Sequence, residues 1–159
     1  VFAISQNQAD ATVISYDLKW SERTALSILN KYPNAWQLDG NDKPKWDYKM
    51  SLTLSAFEKL YLKTKDKKYL NYIKEYADTT IDSTGNIPSY KYENFNIDMI
   101  EAGNILFNLY NTTKEEKYLK AMQLLRRQID EQPRTSEGGF WHKNCRALAQ
   151  TNTYKQKIN

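Results

Sequence analysis

The chain has 159 residues, 40% of them hydrophobic and 26% charged, the balance of one ordinary folded domain with a single core. A net charge of +4 comes from lysines scattered along the sequence, which reads as solvated helix faces rather than a nucleic-acid patch. No run of 18 or more apolar residues exists to span a membrane, and a single cysteine (Cys145) and a single histidine (His142) exclude an intrachain disulfide and any thiolate or His-rich metal cluster, so no cofactor is expected.

Residues 1–17 read as a flexible N-terminal segment. Its apolar start, Val1, Phe2, Ala3 and Ile4, followed by small and polar residues to Ala9, fits two things: a signal-peptide remnant of an exported or periplasmic protein, or a plain disordered terminus of a cytoplasmic one. Trp20 to Lys31 is predicted as an amphipathic helix through Trp20, Ala25, Ile28 and Leu29, ended by Tyr32-Pro33-Asn34 because proline disfavours helix at the residue before it. Gln37 to Lys45, with Gly40 and Pro44, reads as a loop.

A repeat then organises the chain. Leu60-Tyr61-Leu62-Lys63-Thr64-Lys65-Asp66-Lys67-Lys68-Tyr69-Leu70 aligns without a gap on Leu109-Tyr110-Asn111-Thr112-Thr113-Lys114-Glu115-Glu116-Lys117-Tyr118-Leu119, 49 residues on, and Met50 falls on Met99 at the same spacing. Each copy follows an apolar helical pattern: Leu52, Leu54, Phe57, Leu60 and Tyr61 in one, Ile100, Ile105, Leu106, Leu109 and Tyr110 in the other. Each leads into a second helix, from Lys67 to about Thr80 and from Glu115 to about Glu131. Two helices per period of this length mean stacked helical hairpins. Thr64 and Thr113 are expected to cap the second helices, with the acidic residue in the first turn where the helix dipole favours it. The tyrosines and lysines of the turn are expected to be structural. Loops follow each second helix, Asp82 to Pro88 and Pro133 to Gly139. No segment alternates long enough to require a sheet, so the fold class is all-α with five helices, or six if the tail adds one.

The chemistry-bearing residues sit in three clusters: Trp46-Asp47-Tyr48, Phe95-Asn96-Ile97-Asp98-Met99-Ile100-Glu101-Ala102-Gly103, and Gly138-Gly139-Phe140-Trp141-His142-Lys143. A carboxylate such as Asp98 can accept from vicinal sugar hydroxyls, and it can equally be a helix-start acid satisfied by backbone N–H groups. His142 can donate to an acidic ligand or simply pack in its loop. Tyr48, Trp46, Trp141 and Tyr90 can line or stack on a sugar ring, and core packing accounts for them as well. The aromatic share, 13%, suits either role, and most of these rings are expected to pack helices. Cys145 beside His142 is conceivable as a nucleophile–base pair, but an incidental cysteine is the commoner finding.

Together with the repeat, these clusters resemble, from about Leu18 to Lys143, the opening of the unsaturated rhamnogalacturonyl hydrolases. Those group with the unsaturated glucuronyl hydrolases, the family 105 and 88 glycoside hydrolases. Gly-Gly-Phe-Trp-His-Lys after Gln-Pro-Arg-Thr is the specific part. The resemblance implies an incomplete (α/α)6 toroid built of helical hairpins over residues 18–143. It also implies a substrate oligosaccharide carrying a 4,5-unsaturated uronic acid at its non-reducing end. In the family reaction a carboxylic acid protonates the C4=C5 vinyl ether, water adds at C5, and the hemiketal falls apart. By the same resemblance Asp98 matches the first of two active-site aspartates, while Tyr48 and His142 match residues lining the site. The sequence departs from the family after Lys143. The expected Tyr-Pro and Met-Trp-Leu-Asp-Gly motif, which carries the general acid and base, is absent, and residues 144–159 read as an unrelated, out-of-frame tail. Glu137, in a loop, is a poor substitute for that acid. Ser51 stands where the family usually has glycine and is expected to crowd the floor of the site. A truncated hydrolase, inactive alone, is therefore the first expectation, with a homo-oligomer closing the open helix face. The alternative is a non-catalytic carbohydrate-binding or helical-repeat interaction module; a tetratricopeptide scaffold is disfavoured by its period of about 34 residues.

Overall fold

A computed structural model describes residues 13–144, so the expectations for residues 1–12, for Cys145 and for the tail after it lie outside the described residues. The helices are α1 (Trp20–Lys31), α2 (Tyr48–Thr64), α3 (Lys67–Thr80), α4 (Asp98–Glu101), α5 (Ile105–Thr113) and α6 (Glu116–Glu131). Short 3-10 turns cover Ala35–Asp39, Tyr92–Asn94 and Ala102–Asn104, and the β-structure among the described residues is one isolated antiparallel bridge, Arg134 to Phe140. α4, the third 3-10 turn and α5 run on without a break, giving five helical rods: α1, then the hairpins α2–α3 and α4/α5–α6. This is the all-α hairpin architecture of an (α/α)6 toroid. The loop expected from Gln37 begins inside the first 3-10 turn, because Asn34 and Gln37 form a reciprocal capping box there. No helix among the described residues is long and apolar enough to cross a membrane.

The 49-residue repeat is a repeat of geometry. In each copy the threonine hydroxyl donates to the carbonyl four residues back, Thr64 to Leu60 and Thr113 to Leu109, both at 2.8 Å. It also accepts from the N–H two residues on, of Asp66 at 3.2 Å and of Glu115 at 3.3 Å. Between them Lys65 and Lys114 take the left-handed conformation, each with φ 59°, and return their N–H to Tyr61 and Tyr110. The expectation that Thr64 and Thr113 cap the second helices is therefore corrected: both are the last residues of the first helices. The left-handed lysine turns the chain after them, so the cap falls on Asp66, which accepts from the Lys68 N–H, and on Glu115. The longer Glu115 side chain makes no cap bond and reaches Lys74 and Lys117 instead. The acidic residue thus precedes the first turn.

Packing selects one face of each helix. α3 buries Tyr69, Tyr72, Ile73, Tyr76, Ala77 and Thr80, an i, i+3, i+4, i+7 stripe, and α6 buries Tyr118, Ala121, Leu125 and Gln128. α2 presents Met50, Ser51, Leu54, Phe57 and Leu60 to the same core, with Phe57 stacked on Tyr72 at 4.9 Å. Two residues assigned to apolar faces lie outside them. Leu52 is 61% exposed, and Trp20 is 77% exposed under the Arg23 guanidinium, 4.4 Å from its ring. Periodicity marks an apolar position without saying whether a neighbouring helix covers it. At Gly103, in the 3-10 turn between α4 and α5, an added Cβ would lie 2.6 Å from Leu125 Cδ1. Glycine there leaves room for the Leu125 side chain of α6 against the broken helix that begins with Asp98.

Candidate functional site

Trp46 comes first in the chain and sits deepest. Its ring lies against Tyr76 with centroids 6.1 Å apart, its Nε1–H donates to the Met99 carbonyl at 2.8 Å, and it is 1% exposed. With its polar edge bonded to backbone and its surface buried, Trp46 offers no platform to a sugar ring, and its assignment as a substrate-binding residue is corrected to a core one. What it does instead is tie the start of α2 to the start of α4. Asp47 completes the junction. It accepts from the Lys49 N–H at 3.1 Å as the cap of α2, and its own N–H donates to the Tyr76 hydroxyl, which donates to the Lys45 carbonyl at 2.9 Å. Tyr48 follows, half-buried in the first turn of α2. Ser51 is buried, its hydroxyl donating to the Tyr48 carbonyl at 2.7 Å, so the polar atom it adds relative to glycine is satisfied within the helix.

Asp98 opens α4, with its N–H donating to Asn96 Oδ1 at 3.3 Å. Its carboxylate does not cap its own helix. It reaches His142, Oδ2 to Nε2 at 2.8 Å, across 44 residues of sequence. The two side chains are 35% and 61% exposed, so the pair is open to a ligand. A neutral imidazole donating through Nε2 keeps Nδ1 as an acceptor, while a protonated one donates through both nitrogens.

The loop that carries His142 folds back on itself. Arg134 bridges Phe140, the Thr135 N–H donates to the Gly139 carbonyl at 2.8 Å, and the Trp141 N–H donates to the Pro133 carbonyl at 2.8 Å. Two backbone bonds then dock it on the approach to α4: Ile97 N–H to the His142 carbonyl at 3.0 Å and Asn144 N–H to the Asn94 carbonyl at 2.9 Å. Trp141 is 46% exposed and anchored at one edge through Nε1 to the Arg134 carbonyl, which leaves ring surface for a ligand. Phe140 lies under the Arg134 guanidinium, 3.9 Å away. Glu137 bends to the Ser136 hydroxyl at 2.5 Å, a bond that holds its carboxyl below the usual glutamate range. Tyr90 turns its hydroxyl to Gln128 and belongs to a buried polar chain rather than to the open site.

Sequence reasoning passed over that polar chain. Gln128 (0% exposed) on α6 and Gln132 (3%), the residue that caps its C-terminus, follow one another in line with Ala121 and Leu125. Two amides in register with a buried apolar stripe were the available signal. Among the described residues no group of three or more His, Cys, Asp or Glu side chains gathers in a way that could hold a metal ion.

The sequence model of Glycosyl Hydrolase Family 88 matches residues 20–155. Among solved structures, the chain is similar to a glycoside hydrolase from family 105 of C. acetobutylicum ATCC 824, at 44% identity and a TM-score of 0.72. The likeness covers 80% of this chain and 33% of that one, so this chain spans about a third of the length of the solved relative.

Proposed function

The chain belongs to Glycosyl Hydrolase Family 88, and we propose that residues 18–143 carry one wall of the sugar site of an unsaturated uronyl hydrolase, a site that binds without turning over when the 159-residue chain is alone. The observation that carries this reading is the solvent-open pair Asp98–His142, with Trp141 beside it. A carboxylate held by one oxygen keeps Oδ1 to accept from a sugar hydroxyl, and the imidazole can donate to a uronate or hold a water. Tyr48, at the start of α2, is proposed as a further wall of the site, and the exposed face of Trp141 as its stacking surface. The substrate is an oligosaccharide ending in a 4,5-unsaturated uronic acid, the compound in which protonation at C4 and hydration at C5 break the glycosidic link.

The same chemistry explains the expected silence. Protonating a vinyl ether needs an acid poised over C4, and the resemblance assigns that acid to a Trp-Leu-Asp-Gly segment that the 159 residues do not contain. Losing a positioned general acid typically costs about 10²–10⁴ in rate, and an incomplete pocket loses orientation as well. We further propose that the α5–α6 side, where Phe107 is exposed, associates with a second copy of the chain.

The test follows an unsaturated uronyl disaccharide by its conjugated absorbance and by saturation-transfer NMR. Binding weaker than about 1 mM, abolished in Asp98→Asn and His142→Ala, with no loss of absorbance, is the expected result. Turnover by the purified chain, lost in Asp98→Asn, would show that the absent acid is dispensable. No binding at all would remove the sugar site itself.

A further inference from the structure

Two loops, far apart in sequence, must stay in register for Asp98 to meet His142. The backbone bonds already described link them beside the pair, from Ile97 to His142, and further out, from Asn144 to Asn94. Beneath lies a side-chain ladder that begins in the loop after α3 and ends on both loops at once. The Tyr90 hydroxyl bonds Gln128 Oε1, Gln128 Nε2 donates to Gln132 Oε1 at 2.9 Å, and Gln132 Nε2 donates to the carbonyls of Phe95 (2.7 Å) and Trp141 (2.6 Å).

The direction of the ladder follows from its end. Two carbonyls can only accept, so both protons of the Gln132 amide point at them and its oxygen must face Gln128. That orients the Gln128 amide in turn, and leaves its oxygen to receive the Tyr90 hydroxyl. A single amide nitrogen therefore spans the residue three before Asp98 and the residue next to His142. Both glutamines are essentially buried, where an unpaired amide or carbonyl costs about 1–3 kcal/mol, so the ladder forms as a unit or is strained as a unit.

We propose that Gln132, oriented through Gln128 by Tyr90, is the positioning residue of the Asp98–His142 pair. The proposal rests on that pair being the site, and on nothing about the sugar. Its reporter is built in: His142 is the only histidine of the chain, so its imidazole gives a single set of ¹⁵N signals, and Nε2 reads the bond to Asp98 directly.

Asp98→Asn sets the position of the Nε2 signal with the charged partner gone. Gln132→Met keeps an unbranched side chain of similar length and removes both donors. It is expected to move the Nε2 signal most of the way to the Asp98→Asn position. A core variant with a comparable loss of thermal stability, Leu106→Ala, is expected to leave the signal unmoved, which separates positioning from general weakening. A folded Gln132→Met protein with the wild-type signal would overturn the proposal. If Gln132→Met does not fold, Tyr90→Phe decides. It removes one hydroxyl and keeps the ring, and it should place the signal between wild type and Asp98→Asn; an unmoved signal overturns the proposal there too. If Asp98→Asn itself leaves the signal in place, the pair is not a bonded site and both readings fall together.

Discussion

Gly85 shows how closely the loop after α3 is pressed on α6. It has φ +87°, and an added Cβ would lie 2.4 Å from Lys120 Cβ and 2.9 Å from the Lys117 carbonyl oxygen. Neither neighbour is the loose end of a side chain, so the helix or the loop would have to move. Gly85→Ala is expected to cost about 2–4 kcal/mol, combining left-handed strain with overpacking, as read by urea denaturation. The loop's own bonds survive the change, since the Asp82 carboxylate still accepts from Thr84 and Asn86. A loss below about 0.5 kcal/mol would mean the loop shifts freely. At this same scale the site was only half legible. Asp98 and His142 stood out by residue type and motif, but their bond joins positions 44 apart, which only the hairpin stacking brings together. Trp46 reads identically in sequence as core or platform, and what decides is the Met99 carbonyl at its indole nitrogen.

The hairpin turn was the most legible element, because its determinants are local and occur twice. The residue that sets it, however, is the lysine between threonine and acid, held left-handed at φ 59° in both copies. A side chain there is strained and glycine is not, so Lys65→Gly and Lys114→Gly should each stabilise by about 0.5–1 kcal/mol. The two turns are separate, and their effects should add within about 0.5 kcal/mol in the double variant, measured by thermal unfolding. Besides the shared apolar core, an ionic cluster joins the hairpins at the edge between α3 and α6. Asp78 on α3 takes Lys117 at 2.6 Å, Lys74 at 2.7 Å and the Tyr118 hydroxyl at 2.5 Å. Burial opposes its charge, but these bonds outweigh burial and hold its carboxyl below the usual aspartate value. A carboxylate depressed by folding stabilises above its unfolded value and loses that contribution as pH falls through the folded one. The α3–α6 contact should therefore weaken as pH drops below 3.8, the ordinary value. Asp78→Asn should remove that part of the acid sensitivity and cost about 1–2 kcal/mol at neutral pH. A variant whose melting temperature falls with acid as steeply as the wild type would contradict this assignment.

At the scale of the described residues, the five rods expose one long side of the α5–α6 hairpin. Phe107 on α5 is 60% exposed, above a groove of about 190 Å³ lined by Ile100, Met122, Leu125 and Ile129, and a second cleft of about 230 Å³ continues past Ile97 to Phe140. Asn104, Glu101 and Arg126 edge these clefts, while their floor is apolar. The α1 end differs. There Tyr16 and Trp20 are exposed, but the Arg23 guanidinium lies over both rings, at 4.5 and 4.4 Å, and gives the patch a charged cover. Association is therefore expected through α5 and α6. Stable interfaces bury about 1,200–2,000 Å² in total with an aromatic anchor near the centre, and Phe107 beside its groove supplies one. Sedimentation velocity should show the chain moving from monomer to dimer as its concentration rises into the tens of micromolar, roughly 6–7 kcal/mol of association. Phe107→Glu places a charge where the partner's apolar surface would close, so it should keep the protein monomeric. Because residue 107 faces solvent in the monomer, the same change should leave thermal stability at low concentration within about 0.5 kcal/mol. A wild-type chain that stays monomeric at every concentration would show that the groove is not an interface, whatever its composition. A Phe107→Glu protein that still dimerises would move the contact elsewhere, with the aromatic pair at α1 the next surface to change.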